Sequence, residues 1–281
     1  MSLLVFPLNI QATAGWPVKK TPRYNTITQF PASGRSVIRI PTMLFPLWDF
    51  VFDITYIQGD PTGVDTTWQQ LVNFYMAAQG AANDWLFLDP YDSLVGSYTI
   101  TGSVVSGVFV NQEVVTQQST GASATLLFAV SGANNMDIGP YTGTPDSNTS
   151  HHWVGQSSGA QYSPTDTPVL LTSQGIATAD NVTTEFTMYR SLIVGGAQDL
   201  IQNFVNPPSI YVNGSLTNSS TYTINQYGTL TFNTAPVTGT IAWTGSFYFR
   251  CSFKQDSWDS LEEDYYQIWK MDGLKFSSVL L

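Results

Sequence analysis

The chain has 281 residues, 43% apolar and 14% aromatic. That is enough to build one large or two ordinary domains with a real core, and it excludes intrinsic disorder. A formal net charge of −10 argues against general nucleic-acid binding, which needs a cationic footprint, and a lone cysteine excludes an intrachain disulfide.

Charged residues are only 11%, less than half the usual share of about 25%. Neutral polar side chains replace them, as suits a protein with much of its surface against other subunits. The charge is also unevenly placed. Residues 1–48 hold Lys19, Lys20, Arg23, Arg35 and Arg39 and no acid, whereas residues 49–189 hold thirteen acids and no Lys or Arg. Such polarity can arise by chance in a charge-poor chain, or it can orient a basic face against the acidic face of a neighbour. The start, Met1 to Pro7, lacks the charged n-region and long h-region of a signal peptide. No apolar run approaches the roughly 20 residues of a membrane span, so synthesis in the cytoplasm without membrane insertion is expected.

In chain order, Tyr24–Phe30 and Ser36–Ile40 read as strands around a turn at Pro31–Arg35. Trp48–Ile57 alternates as a long strand, and Asp60–Gly63 is a turn. A helix follows over about 66–79, capped by Asp65 or Thr66. Trp68, Leu71, Val72, Tyr75 and Met76 form its apolar face at i, i+3, i+4, i+7, i+8, and Gly80 ends it. Trp85–Leu88 is a short strand closed by the turn Asp89–Asp92.

Residues 97–170 carry no Lys or Arg and many Ser, Thr and Gly. A weak repeat relates Val114–Ala122 to Trp153–Ala160, each a strand followed by a Ser/Gly turn. The segment reads as a small inserted β-domain, with a disordered linker as the competing reading. Beyond it, Thr184–Arg190, Ser209–Gly214, Tyr222–Asn225, Tyr227–Phe232 and Thr240–Phe249 are strands at the turn spacing of a sandwich or barrel. The tail reads as a strand pair turned at Asp272-Gly273. The fold class is therefore mainly β, a sandwich or barrel core with one main α-helix and an inserted β-domain. The domain division is 1–96, 97–170 and 171–281.

Catalytic chemistry is largely missing. His151 and His152 are adjacent, have only Asp146 nearby as a further ligand, and read as solvated loop residues rather than a metal site. No nucleophile elbow or phosphate loop is present. The acids Asp259, Glu262, Glu263 and Asp264 read as a solvated turn rather than a glycosidase pair. Cys251 shares strand parity with Phe247, Phe249 and Phe253, as a core thiol does. No enzyme activity, cofactor or metal is expected. Tyr141, Trp153 and Tyr162 in the insert could stack on sugar rings, with core packing as the plainer alternative.

Three segments together resemble one family. They are Thr21–Ile27 with Ser33-Gly-Arg35 and Phe45–Phe50; Phe74 through Asp92, ending Leu86-Phe-Leu-Asp-Pro-Tyr-Asp92; and Tyr222 to Asp256, with Gly228-Thr-Leu-Thr-Phe232 and Phe247–Phe253. Their order and spacing resemble the distal tail proteins of long-tailed phages and gene transfer agents, over roughly residues 1–96 and 171–281. The neutral helix end Ala77–Asn83 departs from that family's Arg-rich pattern, and residues 97–170 have no counterpart in it. The resemblance implies a non-enzymatic virion protein at the tail tip. Such proteins form a ring, typically hexameric, that joins the tail tube to the hub or baseplate and lets DNA pass without specific binding. The candidate assembly interface is Lys19, Lys20, Arg23, Arg35, Arg39, Trp68, Tyr75 and Trp85, with fold core as the plainer role of the three aromatics. The alternative is a receptor- or carbohydrate-binding tail-tip protein, its host-surface glycan taken by Tyr141, Trp153 and Tyr162.

Overall fold

The computed structural model describes residues 3–7, 14–30, 37–58, 67–128, 135–193, 196–257, 261–265 and 268–281. The fold is mainly β with one main helix. The chain forms two compact units, one of residues 1–90 with 248–281 and the other of residues 91–247.

The first unit is a sheet with a helix packed on it. Its strand order is Leu4–Val5, Trp85–Phe87, the end of Thr240–Phe253, Ile268–Ser278, Leu47–Gln58, Ala14–Arg23. Period-2 alternation sends Phe50, Phe52, Ile54, Phe87, Phe253 and Phe276 to one buried layer. The rings of Phe50 and Phe276 stack at 5.0 Å, and Phe87 meets Phe276 edge-on at 5.1 Å. Phe6, Trp85 and Phe74 close the layer beneath the helix.

That helix, Thr67–Ala78, buries Thr67, Leu71, Phe74 and Ala78. The buried stripe is thus turned from the expected face of Trp68, Leu71, Val72, Tyr75 and Met76. Both sets obey helical spacing, and the choice falls to the side chain that meets Phe6 and Trp85, which is Phe74. The expected caps Asp65 and Thr66 and the turns at 31–35 and 60–63 lie outside the described residues. The helix ends as Gln79 and Gly80 both turn to positive φ. Asp256 Oδ1 then accepts from the Ala81 N–H at 3.0 Å.

Asp272-Gly273 is a bulge rather than the hairpin turn. Leu261–Tyr265 already pairs antiparallel with Ile268–Ser278, Tyr265 standing opposite Ile268. Further on, Met271 faces Ile54 and Leu274 faces Phe52, leaving one extra residue on this strand. Gly273 takes φ +75° there and donates its N–H to Asp53 Oδ1 at 2.9 Å.

In the second unit, residues 97–172 form a seven-stranded sheet with its own core of Ile100, Leu126, Ile138, Trp153 and Tyr162. The segment is folded, so it is not a disordered linker. The weak repeat is structural. Val114–Gln117 and Trp153–Gly155 pair antiparallel about Thr116↔Val154. Each leads into the same closed turn, with Gln117 N–H donating to Ala122 O and Gly155 N–H to Ala160 O. Tyr98 ties this sheet to later strands of its unit: its hydroxyl lies 2.7 Å from those of Tyr211 and Thr244. Burial pushes its pKa up, with the Tyr211 hydroxyl adding to the rise and the Thr244 hydrogen bond opposing it.

The stretch 184–190 is two strands, not one. Glu185–Thr187 pairs with Thr229–Phe232 and Tyr189–Ser191 with Gln198–Leu200. Its alternation survives the break, with Phe186, Met188 and Arg190 all buried. Asn213-Gly214, both at positive φ, turns Ser209–Val212 onto Ser215–Leu216 as a two-residue hairpin.

Candidate functional site

The most unusual surface in the first unit is a two-stranded ribbon. Among the described residues Thr26–Gln29 and Ile38–Pro41 pair only with each other, and all eight are exposed. The register sets Ile27 opposite Ile40 and Gln29 opposite Ile38, so Ile27, Ile38 and Ile40 share one face. Thr26, Thr28 and Arg39 take the other. The ribbon is amphipathic, yet its apolar face stays open: Ile27, Ile38 and Ile40 are 50%, 48% and 44% exposed. Tyr24, Val37 and the tip residue Phe30 are exposed beside it. An isolated two-stranded ribbon is marginal in water and gains stability from packing against something else.

The basic residues of the N-terminal segment divide into two sets. Lys20 Nζ lies 2.9 Å from Asp89 and 4.4 Å above the Phe249 ring, and Arg23 reaches Asp49 at 3.3 Å. These two are engaged within their own unit. Lys19 and Arg39 are exposed, and Arg35 lies outside the described residues. Among the aromatics, Trp85 is wholly buried. Trp68 stacks on Trp269 at 5.1 Å, and the Tyr75 hydroxyl donates to Gln255 O.

In the insert, Trp153 and Tyr162 are wholly buried, Tyr162 donating to Ile100 O. Tyr141 packs edge-on against Tyr98 at 4.9 Å. These rings fill the core and do not form an exposed stacking platform. His151 and His152 are half-buried rather than solvated. His151 Nδ1 is 2.8 Å from Asp146 Oδ2, and His152 Nδ1 is 3.1 Å from Gln161 Oε1. Gln117, fully buried, bonds Asp146 and the His151 carbonyl and closes the loop between them. Among the described residues no group of three or more metal-ligating side chains occurs. Cys251 is buried, which pushes its thiol pKa well up and leaves it unreactive.

One polar centre was not anticipated. Arg190, 4% exposed, lies between two carboxylates of its own unit. Its Nε and Nη2 donate to Asp199 Oδ2 at 3.1 and 3.0 Å. Its Nη1 and Nη2 grip Asp92 Oδ1 and Oδ2, and Nη1 also reaches Asp92 O at 3.1 Å. The guanidinium lies 4.8 Å over the Phe247 ring. Burial acts against its charge, but the two aspartates outweigh it and hold the pKa above the ordinary arginine value. Beside this centre opens a cavity of about 270 Å³, lined by Asp92 and Arg190 together with the 94–96, 172–174 and 191–192 segments. The sequence held one signal for it: Arg190 is the sole base between Arg39 and Arg250. Compared with known protein families and with curated proteins, the chain matches none.

Proposed function

We propose that this chain is a structural, non-enzymatic subunit that closes into a ring at the end of a phage-type tail, joining tube to hub. The observation that carries the assembly reading is the ribbon 26–29/38–41, whose apolar face of Ile27, Ile38 and Ile40 is uncovered in the single chain. A second copy is the natural cover. Ring closure needs a head-to-tail contact between unlike surfaces. The charge distribution favours such a contact: residues 1–90 and 248–281 hold nine of the ten bases beside twelve acids, whereas residues 91–247 hold eight acids and one base. The phage-tail part of the reading rests on the sequence resemblance. An acidic lumen would repel DNA and ease its passage.

The test is the mass of the purified chain by light scattering at low and high salt, for the native sequence and for Ile27→Asp/Ile40→Asp. The expected result is a ring-sized particle that loosens with salt and is monomeric in the double variant, with an unchanged circular dichroism spectrum. Equal masses for the two proteins would overturn the assignment of the ribbon as the assembly element.

A further inference from the structure

We infer that Asn213 is a modification site, at which the folded chain deamidates spontaneously through a cyclic imide to aspartate and isoaspartate. The inference does not depend on ring assembly.

An Asn or Asp precedes glycine at two places in the chain, Asn213-Gly214 and Asp272-Gly273. The glycine matters because the reaction is an attack by its main-chain nitrogen, which a Cβ on the same residue would crowd. The structure separates the two places. Gly273 donates its N–H to Asp53 Oδ1 at 2.9 Å, within a paired strand. Gly214 stands in the two-residue turn between Ser209–Val212 and Ser215–Leu216, and its N–H has no hydrogen-bond partner among the described residues. A Cβ built on Gly214 would meet nothing within 4 Å. Asn213 is exposed. Its side chain lies over Gly239, where an added Cβ would come within 2.9 Å of Asn213 Cγ, and its carboxamide makes no hydrogen bond among the described residues. The nucleophile and the carbonyl it attacks are therefore both untied at residue 213.

The turn opens from one side. The Asn213 N–H donates to Thr240 O at 2.9 Å, which anchors the residue under attack. Gly214 leads into Ser215–Leu216, an exposed two-residue strand that pairs only with Ser209–Val212 among the described residues. Opening of so short an edge lies at the low end of the local-stability scale, and it lets the peptide after Asn213 rotate until the Gly214 nitrogen reaches Cγ. That N–Cγ bond forms as the carboxamide C–N bond breaks, and the amide nitrogen leaves as ammonia with the proton from Gly214. Water then adds to the imide. Addition at Cγ gives aspartate, and addition at the main-chain carbonyl gives isoaspartate. The products differ in consequence. Asn213 holds φ at 51°, which aspartate also tolerates, so that product keeps the hairpin and adds a negative charge to a unit of eight acids and one base. Isoaspartate lengthens the main chain of a two-residue turn and so displaces the Val212↔Ser215 and Tyr211↔Leu216 register.

The test is incubation of the folded full chain at neutral and mildly alkaline pH, followed by peptide mass spectrometry, with isoaspartyl methyltransferase as the probe for isoaspartate. Asn181 is the internal reference: it too is exposed and at positive φ, 62°, but it precedes the branched Val182. Conversion is expected at Asn213 ahead of Asn181, and faster at the higher pH, where the attacking amide gives up its proton more readily. Isoaspartate at residue 272 should stay far below that at 213. Asn213→Ser should lose the isoaspartate signal at 213, with near-UV circular dichroism verifying its fold; the comparison with Asn181 in the native chain decides if that variant does not fold. Conversion at Asn213 no faster than at Asn181, conversion confined to chain unfolded in urea, or isoaspartate as abundant at 272 as at 213 would overturn the proposal.

Discussion

Replacing Arg190 by methionine probes the electrostatic centre of the second unit. The substitution keeps a long apolar stem against Phe247 but removes all five donors. Asp199, only 5% exposed, is then a buried carboxylate without its cation, as Arg190 is the only base in residues 91–247. Breaking a buried pair in this way costs about 3–5 kcal/mol. The unit has 157 residues (247 − 91 + 1), a size at which each kcal/mol moves the Tm by about 2–4 °C. The expected drop is therefore about 6–20 °C. Arg190→Met/Asp199→Leu should recover most of it, because a whole buried pair exchanged for apolar side chains is often neutral. Calorimetry of the two single variants and the double completes a cycle. If the double variant's loss equals the sum of the singles within about 0.5 kcal/mol, the two residues are not coupled and the reasoning fails.

Two further predictions concern the same unit. Burial acts to raise the pKa of Glu113, but the Val110 and Ser158 N–H groups, the Ser158 hydroxyl and the Ser157 N–H outweigh it and bring the pKa below the ordinary 4.5. A depressed folded-state pKa stabilises fully above 4.5 and loses that contribution as pH falls further. Glu113→Gln should thus cost about 1–3 kcal/mol at pH 7, with the gap to the native chain narrowing in acid; urea melts at pH 7 and pH 3 measure both, and a constant gap counts against the assigned contacts. Gly228 sits at φ +75° with a would-be Cβ 2.1 Å from Ile201 O. Gly228→Ala should destabilise by at least the roughly 1–2 kcal/mol of the left-handed conformation alone, and a thermal melt matching the native one would contradict the close approach.

Much of the frame is legible from strand alternation. Trp48–Ile57 and Phe247–Phe253 read directly because one face of each is buried, with Phe50, Phe52, Ile54, Phe249 and Cys251 all inside. What alternation cannot supply is the choice between equivalent local patterns. The helix carries two apolar stripes, and only the arrival of Phe6 and Trp85 selects the one containing Phe74. Asp272-Gly273 has the composition of a hairpin turn, but a glycine with φ > 0 serves a bulge equally well, and strand pairing to Leu47–Gln58 decides. The aromatics Trp153 and Tyr162 carry no mark in sequence that separates a binding platform from a core. The ion centre is the hardest case, because Asp92 is 98 positions from Arg190.

Charge placement yields the last prediction. Residues 91–247 present acids to solvent, their single base being buried Arg190, so those units repel one another across copies. In the proposed assembly, contact between copies sets the exposed bases of the other unit against acidic surface. Arg39 is the best placed of these: it is exposed on the polar face of the ribbon, opposite Thr28 and back-to-back with Ile38 and Ile40. A neighbour gripping the ribbon would meet apolar side chains on one face and a cation on the other. Arg39→Glu should leave monomer stability within about 0.5 kcal/mol, as for ordinary surface changes. It should lower the assembled fraction at low salt, where exposed charges act over about 30 Å at 0.01 M ionic strength, and matter less at 1 M, where the range is about 3 Å. Sedimentation velocity at the two salt concentrations separates the cases. A fall in assembly that is the same at both would assign Arg39 a packing role rather than an electrostatic one. No fall at either would place the contact between copies away from the ribbon's basic face.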